Sequence, residues 1–124
     1  MTGSGHRADG VRTLALPGGA YVVTCGGHEP ALDDWIAQGL GTTRARAARY
    51  VVVEVRDSAR LGAASFALLL DECSSLRRAG GDLWLVASNP RLREELVARD
   101  TSPTINLEAT LADAVSAVNA RLAL

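Results

Sequence analysis

Several residues that can do chemistry lie at suggestive spacings in this 124-residue chain. Cys25 and His28 have the spacing of half a zinc site, but no second pair completes the four ligands of structural zinc. Ser65, His28 and Asp57 contain the side-chain types of a hydrolytic triad, yet no serine lies in a nucleophile elbow. We therefore interpret Cys25 as a core thiol and His28 as a surface residue. The sequence predicts a protein that is not an enzyme and that holds no metal or cofactor.

The basic residues and glycines argue against phosphate and nucleic-acid chemistry. All 13 basic residues are Arg, which excludes a lysine Schiff base and the lysine of a P-loop. Three glycine pairs match neither a dinucleotide-binding fingerprint nor a P-loop, and they predict turns and helix ends: Gly18-Gly19, Gly26-Gly27 and Gly80-Gly81. The net charge is −1, and no strand combines aromatic with basic residues as an RNA-binding platform does. We predict no nucleic-acid partner.

Composition bounds the class of protein. Apolar residues make up 48% and charged residues 22%, which is typical of a globular domain. No run approaches the roughly 20 apolar residues that cross a bilayer, and the first ten residues lack the apolar core of a signal peptide. Cys25 and Cys73 each lie in an apolar stretch, as expected of free thiols in a reducing compartment. We predict a cytoplasmic protein with a flexible tail over 1–10 and one domain over 11–124.

Apolar periodicity indicates the elements that must position any functional residue. Val11–Leu16 and Tyr21–Cys25 flank a Pro-Gly-Gly turn, which favours an antiparallel hairpin. A helix is predicted to begin near Pro30, with its apolar face formed by Leu32, Trp35, Ile36 and Leu40. Gly39 and Gly41 weaken the interior of that helix.

The central segment predicts a parallel strand–helix–strand unit. The valine-rich run 50–55, YVVVEV, is typical of a strand buried on both faces. A helix beginning near Gly62 or Ala63 follows, and its core-facing stripe is Phe66, Leu69, Leu70, Cys73 and Leu76. Gly80-Gly81 ends this helix, and a second buried strand follows over 83–87. The crossover makes the two strands parallel.

The last third repeats the pattern more weakly. Asn89-Pro90 predicts the start of a short helix, and 101–105 predicts a brief edge strand. Thr110 predicts the cap of a terminal helix, with Asp113 three residues further on. The whole chain is therefore predicted to be an α/β domain. Its mixed sheet of four to five strands has about four helices packed mainly on one face.

The order of these elements resembles the STAS domain, the fold of sulfate-transporter tails and of bacterial anti-sigma factor antagonists. The resemblance covers about residues 11–122, and 50–96 carries most of it. The corresponding segments read YVVVEV, GAASFALLL, LRRAGGDLWLVASNP and RLREEL. The resemblance implies a STAS-like fold and a regulatory role through protein–protein contact.

The resemblance also implies a phosphorylated serine, and here the chain departs from the family. Counting back from Gly80-Gly81 aligns Gly62, Ala63, Ala64 and Ser65 with the family pattern Asp-Ser-Ser-Gly. The usual phosphoacceptor position is thus Ala64, which has no hydroxyl. Ser65 lies about 100° further around the helix, and we interpret it as a helix-surface or packing residue.

Ser58 is the second serine considered as a phosphoacceptor. Asp57-Ser58 matches the family dipeptide but lies five positions too early for the helix spacing. We interpret it as a polar turn, in which Asp and Ser side chains bond to the local backbone. Phosphorylation of Ser65 or Ser58 is therefore not expected to act as the usual switch.

The leading hypothesis is an anti-sigma factor antagonist-like regulator of transcription. Its predicted partner-binding residues surround the start of the second helix: Arg60, Gly62, Ala63, Ala64, Ser65 and Phe66. The implied partner is a serine kinase-like anti-sigma factor or another STAS protein, and a homodimer is one form of the latter. The alternative is a sensory or scaffold STAS module that binds a small molecule, nucleotide or lipid.

Overall fold

A computed structural model describes residues 10–26, 29–99 and 105–124. Five strands and four helices alternate through them in the order β1 (Gly10–Leu16), β2 (Ala20–Gly26), α1 (Glu29–Ala45), β3 (Tyr50–Val55), α2 (Ala63–Arg78), β4 (Asp82–Ala87), α3 (Pro90–Arg99), β5 (Asn106–Glu108) and α4 (Leu111–Leu122). Within these residues, no helix is both long enough and apolar enough to cross a bilayer. The predicted tail over 1–10 lies outside the described residues except for Gly10, which begins β1.

The strands form one mixed sheet in the order β1-β2-β3-β4-β5. β1 pairs antiparallel with β2, as a three-residue turn requires, and this confirms the predicted hairpin. The other neighbours are parallel because a helix separates each strand from the next along the chain. The predicted α/β architecture is confirmed.

Both faces of the central strands are buried. Alternate residues of β2, β3 and β4 point to opposite sides, so one valine-rich strand supplies two cores. One core lies under α1, α2 and α3 and includes Val51, Val53 and Val55. The other lies under α4 and includes Val52, where Trp84 packs beside Tyr50 with ring centroids 6.1 Å apart. Three of the four helices thus share one face, as predicted.

The last strand, β5, follows directly after the segment in which the sequence predicted one. The structure places β5 at Asn106–Glu108, in parallel register with β4, whereas the sequence predicted a strand over 101–105. Residues 100–104 lie outside the described residues, and Ile105 precedes the strand and packs on the core. The Asn106 side chain donates a hydrogen bond to the Leu83 carbonyl at 2.9 Å. This hydrogen bond connects the first residue of β5 to β4.

Gly39 and Gly41 do not interrupt α1, and their surroundings differ. A Cβ on Gly39 would approach Val23 Cγ1 more closely than real Cβ contacts allow and would lie 3.3 Å from Val11 Cγ2. Gly39 therefore lets α1 lie directly on β1 and β2. Around Gly41, an added Cβ would meet nothing within 4 Å.

We expect alanine at these two glycines to change stability in opposite directions. Gly39→Ala is expected to lower the free energy of unfolding by about 1–3 kcal/mol through overpacking. Gly41→Ala is expected to raise it by about 0.5–1 kcal/mol, because alanine is the better helix former. Urea unfolding followed by circular dichroism measures both changes. Equal effects of the two substitutions would contradict this close packing of α1 on the sheet.

Candidate functional site

The first turn of α2 is exposed and has small side chains. Gly62 caps the helix in an extended conformation (φ −66°, ψ 159°) and contributes no side-chain cap. This confirms the predicted start of the helix. Gly62, Ala63 and Ala64 are all exposed. Since the first N–H groups of a helix have no intrahelical acceptor, this turn presents accessible backbone to whatever approaches it.

A carboxylate from α1 supplies the negative charge that the first turn of α2 lacks. No acidic residue lies in that turn. The Asp33 carboxylate instead lies against Gly62, where an added Cβ would be 3.4 Å from Oδ1. It also accepts a hydrogen bond from the Ser65 hydroxyl. A carboxylate at this place stabilises the positive end of the helix dipole.

Ser65 lies beneath the first turn and not on its surface. Its exposed fraction is 1%, and its hydroxyl is directed to Asp33. The core-facing residues of α2 are Ser65, Leu69, Glu72, Cys73 and Leu76. The core-facing stripe predicted from the sequence is therefore displaced slightly around the helix from the observed one. Two of its members, Phe66 and Leu70, are only half-buried. Of the two interpretations of Ser65, the packing residue is confirmed and the helix-surface residue is wrong.

The second serine, Ser58, is also buried. Its exposed fraction is 5%, its hydroxyl donates to the Arg60 carbonyl at 2.8 Å, and its N–H donates to the Arg56 carbonyl at 2.7 Å. Asp57 has a left-handed φ of 67°, which Asp tolerates better than most residues. The predicted polar turn is confirmed. It directs the serine hydroxyl back to the chain's own backbone.

A cavity of about 490 Å³ opens beside this first turn. Its walls come from α1, the β3–α2 loop, the first turn of α2 and α3, and include Leu32, Asp33, Arg60, Glu95 and Arg99. The lining therefore contains two carboxylates and two guanidinium groups. Of these five residues, only Arg60 was among the partner-binding residues predicted from the sequence, and those from α1 and α3 were not.

Arg99 connects α3 to the first turn of α2. It pairs with Glu95 at 2.6 Å, and its guanidinium carbon lies 5.0 Å from the centre of the Phe66 ring. Arg60, in contrast, forms no ion pair with any residue in the described ranges and is exposed. Arg60 is therefore available as a cationic contact at the rim of the cavity.

Two buried carboxylates hold the rest of α2 in place. Glu72 is 3% exposed and pairs with Arg44 of α1. Asp82, at the start of β4, accepts hydrogen bonds from Arg77 Nε at 2.8 Å and from Arg121 of α4 at 2.9 Å. Burial by itself would raise the pKa of Asp82, but the hydrogen bonds that it accepts outweigh burial and lower the pKa below its usual 3.8. These pairs stabilise the helix packing that positions the exposed turn.

The cysteines are not placed for nucleophilic chemistry. Both are buried free thiols, as predicted. Burial raises the pKa of Cys25 to about 12 and also raises that of Cys73, so neither forms a thiolate near neutral pH. Among the residues that the structure describes, no cluster of His, Cys, Asp and Glu could hold a metal ion. His28, the other half of the considered zinc pair, lies outside them, as does His6.

Comparison with known proteins identifies the fold and the family. Among solved structures, the NMR structure of the protein TM1081 is similar with a TM-score of 0.65 and 11% sequence identity, over 96% of this chain and 94% of that chain. At this identity the similarity concerns the fold alone. A comparison with curated proteins finds no match. The family model of the STAS domain matches residues 6–114, which include every strand and the first turn of α2. The chain belongs to the STAS domain family.

Proposed function

We propose that the protein is a cytoplasmic regulatory module resembling an anti-sigma factor antagonist, and that it binds a partner protein at the start of α2. We call this region the docking surface: Arg60, Gly62, Ala63, Ala64 and Phe66, supported from beneath by Ser65. STAS domains often mediate protein–protein interaction, and the family includes the antagonists. The partner is a serine kinase-like anti-sigma factor or another STAS protein.

The exposed Gly62-Ala63-Ala64 turn is the observation that carries this proposal. Side chains no larger than a methyl group let a partner approach the helix backbone. Arg60 and Phe66 offer a charge and an aromatic edge on either side, and residues of these types are enriched at protein interfaces. The surface needs no covalent chemistry to bind.

The proposed interaction is constitutive. Ala64 has no hydroxyl, and the hydroxyls of Ser65 and Ser58 are buried in hydrogen bonds within the protein. A kinase therefore meets no accessible acceptor at this surface. Binding is expected to persist whether or not ATP is present.

Ala64→Arg is expected to weaken binding to a purified serine kinase-like anti-sigma factor by about tenfold or more, because the side chain would occupy the proposed contact. Ala120→Arg places the same side chain on an exposed position of α4 and serves as the matched control. Isothermal titration calorimetry measures both affinities. Equal affinities of the two variants would contradict the docking surface.

The switch is tested separately by incubating the protein with the kinase and ATP. Mass spectrometry is expected to find no phosphate on Ser65 or Ser58. Phosphate on either serine would contradict the constitutive interaction but would leave the docking surface itself in place.

The cavity beside α2 favours a second candidate function, a ligand-sensing or scaffold STAS module. Its volume of about 490 Å³ lies in the range of small-molecule sites, roughly 300–1,000 Å³. Its walls combine charged side chains with the apolar Leu32 and Leu61, which suits a ligand that is both polar and apolar, such as a nucleotide or a lipid. A thermal-shift screen with these two classes tests the idea, and an unchanged melting temperature throughout would count against it.

A further inference from the structure

β1 is an edge strand of the sheet, and among the described residues only β2 lies beside it. An edge of this kind presents a row of unpaired N–H and C=O groups that can accept another strand. Proteins usually protect such edges with proline, with charged side chains or by keeping the strand short. β1 contains no proline and a single charged residue and is seven residues long, whereas β5 at the opposite edge has only three.

The apolar character of β1 strengthens this contrast. Leu14 is 62% exposed, which makes it one of the few large apolar side chains that the described residues leave open to solvent. It lies opposite Val22, on the face of the sheet that α4 covers elsewhere. Arg12 is the one charged residue of the strand. The position of Arg12 limits the registers in which another strand can pair with this edge.

We propose that β1 pairs antiparallel with β1 of a second copy, around a two-fold axis at Thr13, to form a continuous ten-stranded sheet. A two-fold axis perpendicular to the sheet keeps the α4 face of both copies on the same side. Residues that lie opposite each other must therefore have side chains on the same face, and because side chains alternate along a strand, the two residue numbers must have an even sum. Centring on Thr13 pairs all seven residues and places each Arg12 opposite Leu14 of the other copy. Centring on Arg12 would oppose two guanidinium groups, and centring on Leu14 would pair only residues 12–16.

The position of α1 fits the same arrangement. α1 packs on both β1 and β2, and Gly39 lets it lie between their axes. Across the two-fold axis the two α1 helices are therefore about two strand spacings apart, or roughly 10 Å, which is a normal helix-packing distance. Asp33 and Arg44 lie on the flank of α1 that contacts α2. The opposite flank, which turns toward the second copy, carries the half-buried Trp35.

The test uses two opposite charges at Leu14. Leu14→Lys faces Arg12 of the other copy and is expected to weaken the dimer by about tenfold, whereas Leu14→Glu forms two ion pairs and is expected to bind at least about tenfold tighter than the lysine variant. Sedimentation equilibrium from micromolar to near-millimolar protein measures both dissociation constants. Val97 is exposed to a similar extent on α3, at 65%. Val97→Lys and Val97→Glu are the matched controls, and they are expected to dimerise like the parent chain.

Hydrogen exchange locates the interface independently. The amides of β1 that face away from β2 are expected to become more protected as the protein concentration rises. A chain that stays monomeric at all concentrations would overturn the proposal, and so would equal dissociation constants for the two Leu14 variants. A monomer whose β1 amides are protected at every concentration would also overturn it, because residues 1–9 of the same chain would then occupy the edge. None of these outcomes depends on the docking surface at α2.

Discussion

Gly81→Ala is expected to lower the free energy of unfolding by about 4 kcal/mol, a loss that few single substitutions cause. A Cβ at this position would overlap the Arg49 carbonyl oxygen, far closer than the 3.0 Å that real Cβ atoms respect. Hydrogen bonds hold the backbone of both Arg49 and Gly81 in place. The Arg49 carbonyl accepts the N–H of Asp82 at 3.2 Å, and Gly81 donates to the Leu76 carbonyl at 2.7 Å.

Gly80→Ala is the matched control for this prediction. Gly80 has a left-handed φ of 90°, but an added Cβ would meet nothing within 4 Å. Its cost is therefore conformational only, about 1–2 kcal/mol. Denaturant unfolding of the two variants separates a steric clash from backbone strain. If Gly80→Ala proved as costly as Gly81→Ala, the close approach of Gly81 to Arg49 would be wrong.

Asp82→Asn is expected to destabilise the protein by about 2–3 kcal/mol at neutral pH. The substitution removes the charge that two guanidinium groups share, and it places an amide donor among donors. Arg121 would also lose the anchor that holds it over the rings of Tyr50 and Trp84. Loosening of α4 from its face of the sheet is the expected structural consequence.

The same substitution has a defined pH dependence. The pKa of Asp82 is lower in the folded protein than its usual 3.8, so the folded state binds fewer protons than the unfolded state in that range. The stability contributed by Asp82 is therefore complete above about pH 4 and is lost as the pH falls through the folded pKa. The difference between parent and variant is expected to shrink in acid. Unfolding measured from pH 7 down to pH 3 tests this.

Asp71→Asn is the control for the effect of charge alone. Asp71 is exposed on α2 and takes part in none of the four ion pairs of the described residues. Its substitution is expected to change stability by less than about 0.5 kcal/mol at any pH. A pH-independent loss in Asp82→Asn would contradict the ion-pair explanation.

Gly81 and Asp82 bear on the proposed function because they hold the C-terminal end of α2. The helix begins at the proposed docking surface and ends at Arg78, just before Gly80-Gly81, and Asp82 connects its last turn to β4 through Arg77. Since a helix is a rigid element, fixing one end and the buried pair at Glu72 also fixes the direction of the other end. A loss of packing at Gly81 or Asp82 is therefore expected to displace the first turn of α2, which forms the proposed docking surface.

Local sequence patterns were sufficient for most of the elements and for the family. The hairpin, the valine-rich strand and the start of α2 at Ala63 follow from turn residues and apolar periodicity, which depend on near neighbours only. The family pattern also located the first turn of α2 and showed that Ala64 lacks a hydroxyl. These features needed no knowledge of distant contacts.

Tertiary structure decided the roles of the polar residues. Asp33 lies 32 residues before Ser65, and nothing in the local sequence indicates that the two are hydrogen-bonded. The burial of Glu72 was weakly indicated by the sequence, because Glu72 has the helical spacing of the core-facing residues Leu69, Cys73 and Leu76. Its partner Arg44 was not predictable, since an ion pair depends on how two helices pack.

The sequence by itself thus determined an α/β STAS domain with small residues where a phosphorylated motif usually stands. Only the tertiary structure decided that Ser65 and Ser58 turn inward, that Asp33 supplies the charge at the start of α2, and that β1 is at one end of the strand order among the described residues. The physical reason is the range of the interactions. Periodicity and capping act over a few residues, whereas buried polar contacts and sheet edges are set by residues that only folding brings together.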